Sequence, residues 1–124
     1  MPGTTIEVYV RDLSEAEASD WLRTCLGDLT PVRKVPVAVY DGTHDGGTVR
    51  VQITERVQDG PYTSIWLRGD PLPWADTSGC ARAVHDATGA EVLCYPDHNE
   101  DAPWMMLHLQ SGTAQRIDER TIDF

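Results

Sequence analysis

The sequence has one lysine, one phenylalanine, and half as many basic residues as acidic ones: 10 Lys+Arg against 20 Asp+Glu. The net charge is −10 and the isoelectric point about 4.6. That balance leaves little basic surface to meet phosphates, which disfavours a nucleic-acid or anionic-membrane binder. No apolar run approaches the roughly 20 residues of a membrane span. The opening MPGTTIEVYV has neither a basic leader region nor a long apolar stretch, so no signal peptide and a cytoplasmic location are expected. The three cysteines, Cys25, Cys80 and Cys94, are odd in number and contain no C-x-x-C. A disulfide framework or zinc site is therefore not expected, and buried reduced thiols are. The hydrolase elbow, the P-loop and the dinucleotide fingerprint are all missing. Schiff-base chemistry would rest on Lys34 alone, which sits in a polar connector (TPVRKVP) with no apolar pocket evident to lower its pKa.

What remains is a globular composition. With 124 residues, 40% hydrophobic and 24% charged, the chain is long enough for one core, and residues 1–124 are read as a single domain. Residues 6–10 (IEVYV) alternate as a strand does. Ser14 and Glu17 form a capping box, and Ala18, Trp21, Leu22, Cys25 and Leu26 recur on one helical face, with Gly27 as the stop. Strand-like runs follow at 37–40, 48–57 and 62–68, separated by the turn cluster DGTHDGG and by Asp59-Gly60-Pro61. A second helix starts at Asp76, carries Cys80, Ala83, Val84 and Ala87 on its stripe, and closes at Gly89. Further strands are read at 91–95, 104–110 and 113–118, with Ser111-Gly112 as a hairpin turn. Trp74, in the stiff run before the second helix, either packs over the helix entrance or walls a ligand pocket.

The order is β-α-β-β-β-α-β-β-β, an α+β fold: a mostly antiparallel sheet with both helices on one face. The two helices match cap, stripe and stop at an offset of 62 residues, from Ser14 onto Asp76 and from Gly27 onto Gly89. Two β-α-β-β-like halves would explain this, and so would two capped helices obeying the same rules. If Ile6, Val8, Val10, Val49, Val51, Ile53, Ile65 and Leu67 face the helices, then Glu7, Tyr9, Arg11, Arg50, Gln52, Thr54, Ser64, Trp66 and Arg68 face away. Glu7 apart, that outer set is polar, basic and aromatic. It is either a solvated face or a surface for a partner or a second copy, since Tyr, Trp and Arg most often anchor interfaces.

No metal or cofactor is expected. Asp41 to Gly46 and Asp97 to Asp101 resemble calcium loops in spacing, but neither supplies the 6–8 oxygens that calcium takes. The histidines, His44, His85, His98 and His108, form no ligand motif and are read as structural or surface residues, and no catalytic residue is assigned.

The run P-W-x-D-x-x-x-C-A-R-A from Pro73, with the later G-x-E-V-x-C-x-P ending at Pro96, resembles small acidic bacterial proteins. In size, acidity and element order the chain is similar to immunity proteins of bacterial toxin systems. That resemblance implies a non-enzymatic inhibitor that binds a cognate toxin or nuclease, often a basic protein, and it carries over no site residues. From the residues themselves the expected contacts are the acidic loops, Asp41 and Asp45 with Asp97, Glu100 and Asp101, together with the anchors Trp104, Tyr9 and Trp66. A homodimer is compatible with the same surfaces. Two other readings stand beside this one. The paired halves are similar in order to glyoxalase and bleomycin-resistance proteins, which would make His108, Glu91, Glu7 or Glu55 ligands, although the first half looks one strand short. A phage-encoded inhibitor of a host nuclease is the other.

Overall fold

The computed structural model describes residues 4–34, 36–97 and 101–122. The expected α+β class holds: two helices and one eight-stranded antiparallel sheet. In chain order the elements are β1 (Thr4–Arg11), α1 (Glu15–Cys25), β2 (Gly27–Arg33), β3 (Ala38–His44), β4 (Gly47–Thr54), β5 (Tyr62–Gly69), α2 (Thr77–Thr88), β6 (Val92–Cys94), β7 (Met105–Gln110) and β8 (Thr113–Asp118). Across the sheet the order is β2-β3-β4-β5-β1-β6-β7-β8.

The alternation in β1, β4 and β5 decides which face is buried. Val8 stands opposite Ile65, Ile65 opposite Ile53, and Ile6 opposite Leu67. All eight residues expected to face inward are at most 2% exposed, packed with Ala18 and Leu22 of α1 and with Cys80, Ala81 and Val84 of α2. Both helices therefore lie on one face, and that single layer buries the main core. The capping box of α1 forms as expected: Ser14 Oγ accepts from Glu17 N, and Glu17 Oε1 accepts from Ser14 N, each at 3.1 Å. Trp74 stacks on Trp21 with ring centroids 5.5 Å apart, so it packs over α1.

The structure corrects four details of the sequence reading. First, β2 is an added strand, which makes the order β-α-β-β-β-β-α-β-β-β. It was illegible because an edge strand exposed on both sides has no apolar alternation to show. Secondly, Gly27 is not a left-handed helix stop. Leu26 leaves the helix in extended conformation and Gly27 opens β2. Thirdly, the cluster at 41–47 is mostly strand: β3 runs to His44, and only Asp45-Gly46 turn, both with positive φ, as a two-residue hairpin demands. Fourthly, the buried face of α2 is Thr77, Cys80, Ala81, Val84 and His85, and Ala87 is exposed. A polar residue, His85, occupies the inner position that hydrophobicity assigned elsewhere.

With β2 added, the element order repeats as β-α-β-β-β twice, β1-α1-β2-β3-β4 and β5-α2-β6-β7-β8. The spatial neighbours do not repeat. β4 pairs with β5, whereas its counterpart β8 is a sheet edge; β6 pairs with β1, whereas its counterpart β2 is the other edge.

Candidate functional site

The face of the sheet away from the helices carries the expected outer residues. Trp66 in β5 stands between Glu7 of β1 and Gln52 of β4, and Tyr9 stands between Ser64 and Leu93. Glu7 is fixed from two sides: Ser64 Oγ donates to it at 2.6 Å and the Tyr9 hydroxyl at 3.2 Å. Burial, and then the neighbouring Glu7 carboxylate, push the Tyr9 hydroxyl above its ordinary pKa, so it stays a donor. Arg50 lies directly opposite Arg68 on one side and Asp41 on the other. Like charges opposed across strands are unfavourable. Asp41 offsets this by a forked pair with Arg50, at 2.5 Å to Nε and 3.3 Å to Nη2. These side chains, with Thr48 and Asp70, line a shallow depression of about 600 Å³. Beside it Val32, Arg33 and Val39 border a smaller one with Arg50 and Gln52, about 290 Å³.

The other end of the same face is partly closed. Leu93, Met106 and Tyr62 form a second apolar cluster, covered by Ile117 and Ile122. His108 Nε2 meets Glu91 Oε1 at 2.5 Å, the other oxygen of Glu91 is 3.6 Å from Arg11, and Arg11 lies over the Tyr62 ring. These groups line a cavity of about 230 Å³ with Thr121 and Ile122. Tyr95 donates to Glu119, and burial with that bond pushes its hydroxyl up to about 12.

Of the residues singled out in the sequence, Tyr9, Trp66 and Asp41 come together on this face. Asp45 is exposed at the tip of the β3–β4 hairpin, apart from them. Asp97 acts locally. Its carboxylate accepts from the backbone N–H of Thr77 at 2.6 Å and from the Thr77 hydroxyl at 3.0 Å, holding the start of α2. Asp101 is exposed, and Trp104, 45% exposed, stands in the loop before β7, where its carbonyl accepts from Glu119 N. Glu100 and His98 lie outside the described residues. Of the histidine and three acids named for a ligand site, His108 and Glu91 touch each other. Glu7 is engaged as above, and Glu55 accepts from Glu15 N at 2.7 Å. Among the described residues no three His, Cys, Asp or Glu side chains converge to hold a metal ion. The sequence reading missed Tyr62 and Tyr95. Tyr62 shares the period-2 side of Ser64 and Trp66, which was the available signal. Placing Tyr95 needed the β1–β6 register.

Two of the three thiols and the lone lysine are held in their protonated forms. Burial pushes the Cys80 thiol far up and the Cys94 thiol up to about 12. Lys34 Nζ reaches the Tyr40 hydroxyl at 2.6 Å and Glu15 at 3.2 Å, and these partners raise its pKa, the opposite of what a Schiff-base lysine needs. In the same network the Tyr40 hydroxyl donates to Glu15 at 2.8 Å. That bond, and then Lys34, hold the Glu15 carboxyl below the ordinary glutamate range. A depressed carboxyl stabilises the fold above its unfolded pKa, and the stabilisation is lost as pH falls through the lower folded value. Tyr40→Phe should therefore raise the Glu15 pKa in a carbon-detected NMR titration. An unchanged titration would assign the whole effect to Lys34.

No helix among the described residues is long and apolar enough to cross a membrane. No family model matches the chain, and neither the curated proteins nor the solved structures include a significant match.

Proposed function

We propose that this chain is a non-enzymatic, protein-binding inhibitor of the immunity type, which seats a basic bacterial toxin or nuclease in the cytoplasm on the open face of its sheet. One observation carries this reading. Trp66 and Tyr9 stand on the two central strands, uncovered by either helix, with the opposed pair Arg50 and Arg68 beside them. Aromatic and arginine side chains held on rigid strands are the groups that anchor protein interfaces, because little freedom is lost when they bind.

Charge supports the same reading at longer range. The open face carries Glu7 and Asp41 on its strands and Glu91 just before β6, against Arg11, Arg33, Arg50 and Arg68, so the acidic excess of the chain lies elsewhere. Asp12, Glu17, Glu55 and Asp59, with Arg56 as the one basic residue among them, gather around one depression at the start of α1. Asp45 and Asp70 lie near the opposite end of the face, at the tip of the β3–β4 hairpin and after β5. Such a rim attracts a basic partner, and the face supplies the short-range contacts.

The test is capture from the native host with the full chain as bait, at about 50 and then about 500 mM salt, a range over which exposed charges are strongly screened. A single basic protein, partly released at high salt and not retained by an Arg68→Glu bait, is the expected result. Equal capture by both baits would move the interface off this face. Capture of acidic proteins alone would overturn the inhibitor reading.

A further inference from the structure

The two edges of the sheet are not alike. β2 is guarded: it contains Pro31, its pairing with β3 shifts register twice, and Asp28 takes a left-handed conformation. Those features prevent another strand from adding to that edge. β8 has none of them. Its six residues, TAQRID, pair with β7 without a break, contain neither proline nor lysine, and are exposed from Thr113 to Arg116.

The hairpin fixes which backbone groups are free. Ser111 and Gly112 both have positive φ and form a two-residue loop, closed by Gln110 opposite Thr113. Hydrogen-bonded pairs then alternate, so 113, 115 and 117 bond to β7, while Ala114 and Arg116 turn their N–H and C=O groups away from the sheet. The carbonyl of Asp118, next in that series, is taken by the Thr121 hydroxyl at 2.7 Å.

We infer that β8 pairs antiparallel with β8 of a second copy of this chain, in the register centred on Gln115. Charge selects that register. Centring on Arg116 would oppose two guanidinium groups, which is destabilising. Centring on Gln115 sets Ala114 of one copy against Arg116 of the other, Thr113 against Ile117, and Gln115 against itself, and it uses all the free groups of 114 and 116. The arrangement is isologous, as closed dimers require. A two-fold axis through paired edge strands keeps both open faces on the same side of a continuous sheet. The inference does not depend on what binds there.

Sedimentation of the full chain from about 10 to about 500 µM, the range for an edge interface this small, should show a monomer–dimer equilibrium. Ala114→Pro removes an outward N–H and no bond to β7, as proline on an edge strand can, and should weaken association at least tenfold. In a Cys25→Ser background, Gln115→Cys should form a disulfide-linked dimer under mild oxidation, because opposed residues sit about 5 Å apart between Cβ atoms. Arg116→Cys should do so much less. A chain that stays monomeric throughout, with no link through position 115, overturns the inference. A dimer indifferent to Ala114→Pro, or an edge taken only by a different protein, overturns it too.

Discussion

Trp66→Ala should weaken binding of the captured partner by about a hundredfold or more, close to 3 kcal/mol. The argument is positional. Trp66 stands between Gln52 and Glu7 in the middle strands of the open face, where an interface is most completely dried. Residues at such centres carry most of the binding energy, while rim residues contribute little. Trp104 is the natural control, because it is 45% exposed and stands in the loop before β7. Trp104→Ala should change affinity by less than about threefold if it stands at the rim. Titration calorimetry on both variants, with circular dichroism to confirm folding, separates the two sites. The reverse outcome, with Trp104 dominant and Trp66 silent, would place the interface on the loop between β6 and β7.

Arg68 should act differently from Trp66. Its opposite neighbour Arg50 is neutralised by Asp41, so Arg68 is the less compensated charge of the pair. On the proposed interface such a group would meet a carboxylate of the partner, and a face with several arginines is then compatible with a net charge of −10. Under the proposed function the acidic majority would act over distance and govern encounter, while the local arginines would act at contact.

The sequence revealed most where one physical pattern dominated. In β1, β4 and β5, strict alternation separates Ile6, Val8 and Val10 from Glu7 and Tyr9, and one core forces that register, since a slip by one residue would invert both faces. The open face, and the placement of Tyr9 and Trp66 on it, followed directly. It failed where burial is not apolar or where strands are not buried. β2 is exposed along most of its length, so no periodicity marked it. The acidic loops looked alike as strings of charge, yet Asp97 holds the first turn of α2 and Asp41 is bound by Arg50. Those pairings cross from one element to another, and a carboxylate's partner is set by tertiary contact, not by spacing along the chain. The contact of His108 with Glu91 was hidden for the same reason, because it depends on strands β6 and β7 being neighbours.

His85→Ala should remove about 3 kcal/mol of stability, a large share of the 5–15 kcal/mol typical of a domain. The ring is 5% exposed on the inner face of α2, and both nitrogens are used. Nδ1 lies 2.6 Å from the Ala90 carbonyl, and Nε2 accepts the Gly112 N–H at 3.0 Å. Because Nε2 accepts, the ring proton sits on Nδ1 and donates to Ala90. One side chain thus ties the end of α2 to the β7–β8 turn, joining parts of the chain that share no backbone ladder. Alanine would leave a cavity and strip two backbone groups of their partner, and each loss alone costs about 1–3 kcal/mol. His85→Phe fills the volume and restores neither bond, so it divides the loss between packing and hydrogen bonding. Urea unfolding should show both variants destabilised, with phenylalanine recovering less than half of the difference. Amide exchange at Gly112 should quicken in both. A phenylalanine variant as stable as the native chain would show that the ring's volume, not its two hydrogen bonds, holds the hairpin to the helix.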